Sequence, residues 1–216
     1  MTMDGCGEWF PLPDGQEELS SAGLGPPERL DSLLPTDTET GAATYNALKT
    51  YLGAFMDLMA RHAQPLTLLT IAADPAEALR RLGPNGSRLI GAAIARCLKQ
   101  ETRLHDVIGR SPRNGPDGAP TFLVVLPLMT ESIAAHFADR LRAAMTTSAG
   151  DETRPWLTIS IGVASLSLDT DSPETLILRS QEALCSAQRA GGGRVWSHSD
   201  SVRRIVDRHR PDSMQE

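Results

Sequence analysis

The sequence predicts an α/β fold in which helices flank a mixed central β-sheet. Two almost continuous apolar runs, Leu66–Ala73 and Thr121–Pro127, are typical of buried strands. Amphipathic helical segments alternate with these runs, and this order favours a sheet covered by helices. A loop rich in proline and glycine, residues 111–120, joins a strand over 106–110 to the strand at 121–127. These two neighbouring strands suggest a hairpin, so the predicted sheet is mixed.

Five helices are predicted from apolar residues at helical spacing and from capping residues. Their ranges are 43–63, 75–82, 88–101, 130–145 and 172–189. Asp74 and Ser172 are each followed by proline, as is common where a helix begins. The last helix is expected to end at the glycine run 191–193. Two further strands, over 156–166 and 194–197, complete the predicted order.

The charge distribution divides the chain into three segments. Residues 1–40 hold nine acidic residues against Arg29 alone, and five prolines and five glycines interrupt any helical period. We therefore expect a disordered acidic arm over 1–40, a folded domain over 41–198 and a flexible, basic polar tail over 199–216. The net charge of the arm is −8 and that of the whole chain is −6, so the remaining residues carry a net charge of +2. A nearly neutral body does not have the basic face of a duplex DNA-binding protein.

The sequence indicates a cytoplasmic protein. No apolar run approaches the roughly 18 residues typical of a membrane span, and the first residues lack a secretory pattern. Three scattered cysteines do not form a disulfide framework. Cys97 and Cys185 fall on apolar helix faces, so both are expected to be buried. The five histidines have no metal-ligand spacing, so no metal site is expected from them.

Several sequence segments resemble the GGDEF (diguanylate cyclase) family. They are TISIGVA at 158–164, AQRAGGGRV at 187–195, and TFLVVLP at 121–127 followed by a helix that contains ADRLR at 138–142. The similarity spans about residues 44–197. It implies a GGDEF-like (nucleotidyl-cyclase-like) fold and a place in signalling by cyclic di-GMP, which the enzymes of this family make from two GTP molecules with magnesium.

The resemblance also implies a degenerate signature. The family's glycine-glycine-acid-acid-phenylalanine loop falls here on Gly118, Ala119, Pro120, Thr121 and Phe122. Only the first glycine and the aromatic residue match. Thr121 stands where the resemblance places a catalytic and metal-binding acid, and Pro120 has no backbone N–H.

Other positions that the resemblance assigns to magnesium and triphosphate also differ. On the first strand the metal-binding acid is replaced by Ala72, although Asp74 matches a later acid. Near the second helix, Glu77 replaces an expected lysine and Arg80 replaces a base-contacting asparagine. Near the last helix, Gln188 replaces a phosphate-binding lysine and Gly192 replaces an arginine. Together these differences predict a pseudoenzyme with no cofactor, no magnesium site and no cyclase activity.

One element matches the family's product-binding inhibitory site. Arg103 and Asp106 have its RxxD spacing, at the expected distance from Gly118 once an insertion at 112–117 is removed. Arg140 aligns with a second arginine of that site, and Arg110, which matches a family arginine before the loop, is the fourth candidate ligand-binding residue. Arginine pairs in a bidentate manner with guanine, and a carboxylate accepts from guanine N–H groups. A simpler interpretation is a surface ion pair between Arg103 and Asp106.

Three functional hypotheses follow from these matches. The first is a non-catalytic receptor for cyclic di-GMP that signals through an unidentified protein partner, with a homodimer as an open alternative. The second is a ligand-free scaffold for protein–protein interaction. The third, a residual cyclase activity within a heterodimer, requires an intact partner to supply the missing acids.

Overall fold

Five strands and four α-helices make up the described part of this computed structural model, which covers residues 28–74, 85–115, 118–147, 157–167, 172–200 and 202. The strands are β1 (Leu66–Ala73), β2 (Val107–Arg110), β3 (Thr121–Pro127), β4 (Ile159–Ser165) and β5 (Val195–Ser197). The helices are α1 (Tyr45–Arg61), α2 (Gly86–Glu101), α3 (Glu131–Thr147) and α4 (Pro173–Arg189), preceded by a 3-10 helix at Leu30–Leu33.

The strands form one mixed sheet in the order β2-β3-β1-β4-β5. β1 lies at its centre and is antiparallel to both β3 and β4. β2 and β3 form the predicted hairpin, while β4 and β5 are parallel. The mixed sheet and the α/β class are therefore confirmed.

Helices cover both faces of the sheet. On β1, Leu69 and Ile71 pack in one apolar cluster with residues of α2 and α3. Leu68 points the other way and packs in a second cluster with residues of α1 and α4. Successive side chains of a strand alternate between its faces, so an almost wholly apolar strand fits only a sheet covered on both sides.

Gly162, in the middle of β4, allows α4 to approach the sheet very closely. A Cβ built at this position would lie 2.1 Å from Ser180 O and 2.2 Å from Leu184 N, both in the α4 backbone. No side chain fits there without moving the helix, so the glycine fixes how α4 packs on the strand.

Most of the predicted elements agree with the structure. The observed bounds of β1, β3 and the last helix match the prediction, and Ser172 caps that helix by accepting a hydrogen bond from Thr175 N. α2 begins at Gly86, two residues earlier than predicted, because Ser87 lies inside the helix and does not cap it. The helix predicted over 75–82 lies outside the described residues.

The prediction of a disordered arm up to residue 40 is wrong for residues 28–40. This segment runs beside β2, where Thr36 bridges Ala43, and Ala43 exchanges hydrogen bonds with Ile108 O and Arg110 N. Ala43 thereby satisfies backbone groups on the free edge of the sheet, and its bridge to Thr36 joins residues 28–40 to that edge. The composition gave the wrong answer because edge pairing uses backbone atoms, which side-chain statistics do not register. Residues 1–27 lie outside the described range.

The two helical cysteines differ in exposure. Cys97 is buried in α2, and desolvation raises the pKa of its thiol to about 11. Cys185 is exposed on α4, so the expectation that it is buried is wrong. The prediction rested on the apolar residues around Cys185 in the sequence, whereas the cysteine lies on the exposed side of the helix.

No helix among the described residues combines the length and the apolar character that crossing a bilayer requires. At the C-terminal end, residues 198–200 and 202 are helical, and the remainder of the predicted tail lies outside the described part of the chain.

Candidate ligand-binding site

The RxxD residues lie in a tight turn that joins the end of α2 to β2. Thr102 ends the helix: both its backbone N–H and its Oγ1 donate to Leu98 O. Asp106 N then donates to Arg103 O at 3.2 Å, and Arg103 N donates to Asp106 Oδ2 at 2.7 Å. The carboxylate thus closes a turn over its own backbone, a common role for aspartate in turns.

Asp106 is turned into the protein. Its side chain is 1% exposed, and Oδ1 has no hydrogen-bond partner among the described residues. Burial raises the pKa of this carboxyl, while the Arg103 N–H and the nearby His105, Arg103 and Arg29 oppose the rise. RxxD spacing does not fix the direction of the carboxylate, and here Asp106 faces the interior while Arg103 faces solvent.

Arg103 and Arg140 remain accessible. The Arg103 side chain is exposed, and no ion pair joins it to Asp106 within the described part of the chain. Arg140, on α3, has a 64% exposed side chain and lies 3.5 Å from Glu101 Oε2. Its guanidinium stacks over Phe137, 5.0 Å from the ring centroid. Glu101 is the last residue of α2, so α3 brings Arg140 to the helix end that carries Arg103.

Arg110 uses its donors within the hairpin. It donates to Thr121 O at 2.8 Å, to Ser111 O at 3.1 Å and to Asn114 Oδ1 at 2.6 Å. Its guanidinium also lies over the Phe122 ring. Desolvation lowers the pKa of this group. Arg110 therefore shapes the loop, and its observed contacts do not support the prediction that it binds ligand directly.

The residues at the degenerate signature are largely internal. Ala119 and Phe122 are fully buried, and Thr121 is almost so. Ala119 O accepts from Gly115 N at 2.7 Å, and Gly118 O accepts from Ser87 Oγ at the start of α2. The loop is folded against α2 and holds itself with backbone contacts, which leaves little of its surface available to a ligand.

Asp74 connects three elements at the end of β1. Its Oδ2 accepts from Thr158 Oγ1 at 2.8 Å and from Gly193 N at 2.7 Å, and its Oδ1 accepts from Ser160 Oγ at 2.5 Å. Gly192 adopts φ +71°, and a Cβ there would lie 2.9 Å from Oδ1. The carboxylate is thus engaged by β4 and by the glycine turn after α4. The spacing of Thr158 and Ser160 could have indicated these contacts, because residues two apart in a strand have their side chains on the same face.

Arg29 is the residue near the candidate site that the sequence reasoning missed. Its guanidinium donates to Thr102 O, Thr102 Oγ1 and Asp106 O, so it contacts both ends of the turn. The available signal was that Arg29 is the one basic residue among nine acids in the first 40 positions.

Comparisons with known proteins agree with this architecture. The family model "Diguanylate cyclase, GGDEF domain" matches residues 35–194. No curated protein matches the chain with significance. Among solved structures, the GGDEF domain of DgcB from Caulobacter crescentus, in complex with c-di-GMP, superposes with a TM-score of 0.64 at 18% identity, covering 76% of this chain and 92% of that one.

Two other structures show the same fold. The active GGEEF domain of a diguanylate cyclase from Vibrio cholerae has a TM-score of 0.61 at 22% identity, covering 71% of this chain and 95% of that one. A sensory box/GGDEF family protein from Caulobacter crescentus CB15 has a TM-score of 0.61 at 25% identity, covering 72% and 99%. With the family model matched over most of the sequence, this chain belongs to the GGDEF family of diguanylate cyclase domains.

Proposed function

We propose that this chain is a non-catalytic receptor for cyclic di-GMP that signals through a protein partner. The observation that carries the proposal is the pair of exposed guanidinium groups, Arg103 and Arg140, held at one end of α2. Guanidinium groups donate in a planar fork to phosphate and to the guanine edge, and they stack on purines. The related domain of DgcB was solved with c-di-GMP bound, which supports the choice of ligand.

Asp106 enters this proposal as a residue that orients the turn. Its Oδ2 holds the Arg103 N–H at 2.7 Å, and its side chain is buried. The carboxylate therefore fixes the backbone from which the Arg103 side chain projects. Direct contact between Asp106 and guanine would require the turn to open.

The proposed loss of catalysis rests on the region around Asp74 and the signature loop. Magnesium takes oxygen ligands, commonly carboxylates, in a near-octahedral arrangement. Here both Asp74 oxygens already accept hydrogen bonds, and the neighbouring positions of the family's acids are Ala72 and the almost buried Thr121. The residues present do not fit a magnesium ion, and this misfit supports a pseudoenzyme.

The second candidate function is a ligand-free scaffold for a protein partner. Two observations favour it: Asp106 faces inward, and Arg140 is paired with Glu101. A bound nucleotide would have to displace Glu101 from Arg140 or share the guanidinium with it. A scaffold needs neither change.

Calorimetric titration with cyclic di-GMP separates the two functions. The wild-type protein is expected to bind saturably, and Arg103→Ala and Arg140→Ala are each expected to weaken binding by about tenfold to a hundredfold, since a hydrogen bond to a charged group contributes about 1.5–3 kcal/mol. Arg61→Ala is the matched control, because Arg61 is an exposed arginine that pairs with Asp57 within α1. Absence of binding by the wild type would reject the receptor and favour the scaffold.

Catalysis is tested by incubating the protein with GTP and magnesium and separating the products by chromatography. We expect no cyclic di-GMP. Product formation by the purified chain would overturn the assignment as a pseudoenzyme. Signalling through a partner is tested by using the chain to capture binding proteins with and without cyclic di-GMP. The expected result is a ligand-dependent change in the captured protein or in the dimerisation of the chain.

A further inference from the structure

Arg29 contacts the RxxD turn at both of its ends. Its Nη1 donates to Thr102 O at 3.1 Å and reaches Lys99 O at 3.4 Å, and its Nη2 donates to Thr102 Oγ1 at 2.9 Å and to Asp106 O at 3.3 Å. Lys99 O and Thr102 O lie at the C-terminal end of α2, where carbonyl groups lack partners within the helix. A cation there also opposes the negative end of the helix dipole. One guanidinium therefore joins the helix end to the last residue of the turn.

Asp31 holds this guanidinium in place. Its two oxygens accept from Arg29 Nε at 3.1 Å and from Arg29 Nη2 at 3.2 Å, which is a bidentate pair. The Asp31 side chain is 3% exposed and that of Arg29 is 17% exposed. Leu30 N, between them, donates to Leu104 O at 2.9 Å. The segment 29–31 thus contacts the turn at its beginning, middle and end.

We propose that Arg29 is a positioning residue for the ligand-binding turn. Its guanidinium fixes the backbone of residues 102–106, so that Arg103 projects outward while the Asp106 carboxylate closes the turn from inside. The effect on ligand affinity rests on the proposed function, but the effect on the turn does not. The planar arrangement of donors is essential to this role, because the guanidinium must reach Thr102 O at the helix end and Asp106 O at the end of the turn at the same time.

Two single variants of the full chain separate the effect of the planar guanidinium donors from the effect of the positive charge. Arg29→Ala removes both, whereas Arg29→Lys keeps the charge and loses the planar arrangement of donors. The first readout is hydrogen exchange, without ligand, at the amides of Thr102, which donates to Leu98 O at the helix end, and of Arg103 and Asp106, which donate within the turn. Exchange is expected to accelerate by about tenfold in both variants, while the amides of β1 and β3 stay protected.

The second readout is the Kd for cyclic di-GMP, expected to rise by about tenfold in both variants, equivalent to 1.4 kcal/mol. Unchanged exchange at these three amides in Arg29→Ala, or full recovery in Arg29→Lys, would overturn the proposal. If the wild type does not bind cyclic di-GMP, the receptor function fails, and the exchange result still decides the role of Arg29.

Removing Arg29 alone leaves Asp31 as a buried unpaired carboxylate, which destabilises the fold. The double variant Arg29→Ala with Asp31→Asn avoids this. It is expected to retain the global stability better than Arg29→Ala and still to show fast exchange in the turn. A double variant that folds and keeps slow exchange at Arg103 and Asp106 would contradict the proposal as clearly as an unaffected single variant.

Discussion

The two ends of this domain that the family uses for nucleotides differ in how their polar groups are engaged. Around Asp74 and the signature loop, carboxylate, hydroxyl and backbone groups satisfy one another, and the signature residues after the exposed Gly118 are buried. At the turn after α2, the backbone is equally well held, but Arg103 and Arg140 extend into solvent. The polar groups of the two regions therefore differ in what they contact: around Asp74 they link β1, β4 and the glycine turn, whereas at the turn after α2 two cations face solvent where a ligand is proposed to bind.

The largest expected effect concerns Asp74, because it tests whether this carboxylate is a structural link between β1, β4 and the glycine turn. Asp74→Ala removes the acceptor of three hydrogen bonds that join β1, β4 and the glycine turn. We expect the free energy of unfolding to fall by about 3 kcal/mol, since bonds to charged groups contribute about 1.5–3 kcal/mol each and are not additive. Denaturant unfolding measures the change.

Asp57→Ala is the control for that prediction, because Asp57 is an exposed acid paired with Arg61 on α1. Its effect is expected to stay within about 0.5 kcal/mol. Cyclic di-GMP affinity should be the same in Asp74→Ala as in the wild type. A stable Asp74→Ala variant would show that the carboxylate is free for another role and would remove the contrast between the two ends.

Glu101 tests the other end, because its Oε2 lies 3.5 Å from Arg140 Nε. Glu101→Gln is expected to strengthen cyclic di-GMP binding by about twofold to fivefold, in line with the 0.2–1 kcal/mol of an exposed ion pair. Glu182→Gln, an exposed change on α4 with the same effect on net charge, serves as the control. Equal gains in the two variants would assign the effect to overall charge rather than to Arg140.

Asp106 provides a pH-dependent prediction. Burial raises the pKa of this carboxyl from 3.8, so the folded protein holds the proton more tightly than the unfolded chain does. The stability from this group is therefore present below the ordinary pKa and is lost as the pH rises through the raised value. Unfolding free energies from pH 7 down to pH 4 are expected to increase for the wild type relative to Asp106→Asn. Parallel profiles for the two proteins would contradict a buried, ionisable Asp106.

The smallest expected effect is a null result at the signature loop. The triple variant Ala119→Gly, Pro120→Asp and Thr121→Glu restores the family's residues there. We expect no cyclic di-GMP from GTP and magnesium, because Ala72 still lacks a carboxylate and Asp74 remains hydrogen-bonded. Product formation by this variant would show that the signature loop alone decides whether this chain makes cyclic di-GMP.

The sequence predicted those elements whose physics is local. The strands β1 and β3 are unbroken apolar runs, and α4 begins with a serine cap and a proline, so their bounds were predicted correctly. The family resemblance located the turn with Arg103 and the helix with Arg140. In these cases the residues that decide the structure lie next to one another in the chain.

What the sequence did not predict depends on contacts between distant segments. Arg29 lies more than 70 positions from the carbonyls of Thr102 and Asp106 that it binds, and no periodicity reports such a contact. The inward direction of Asp106 goes with the packing of that same segment and α1 around the turn, since Arg29 donates to Asp106 O and Tyr51 Oη donates to His105 O. Composition alone assigned residues 28–40 to a disordered arm, because it registers neither the hydrogen bonds of Arg29 and Leu30 to the turn nor the bridge from Thr36 to Ala43.

The central claim is that the turn after α2 is a binding site for cyclic di-GMP. Calorimetric titration of the wild-type protein and of Arg103→Ala, with Arg61→Ala as control, tests it most directly. We predict saturable binding by the wild type and Arg61→Ala, and binding weakened by about tenfold to a hundredfold in an equally stable Arg103→Ala. No binding by the wild type, or equal affinities for all three proteins, would contradict it.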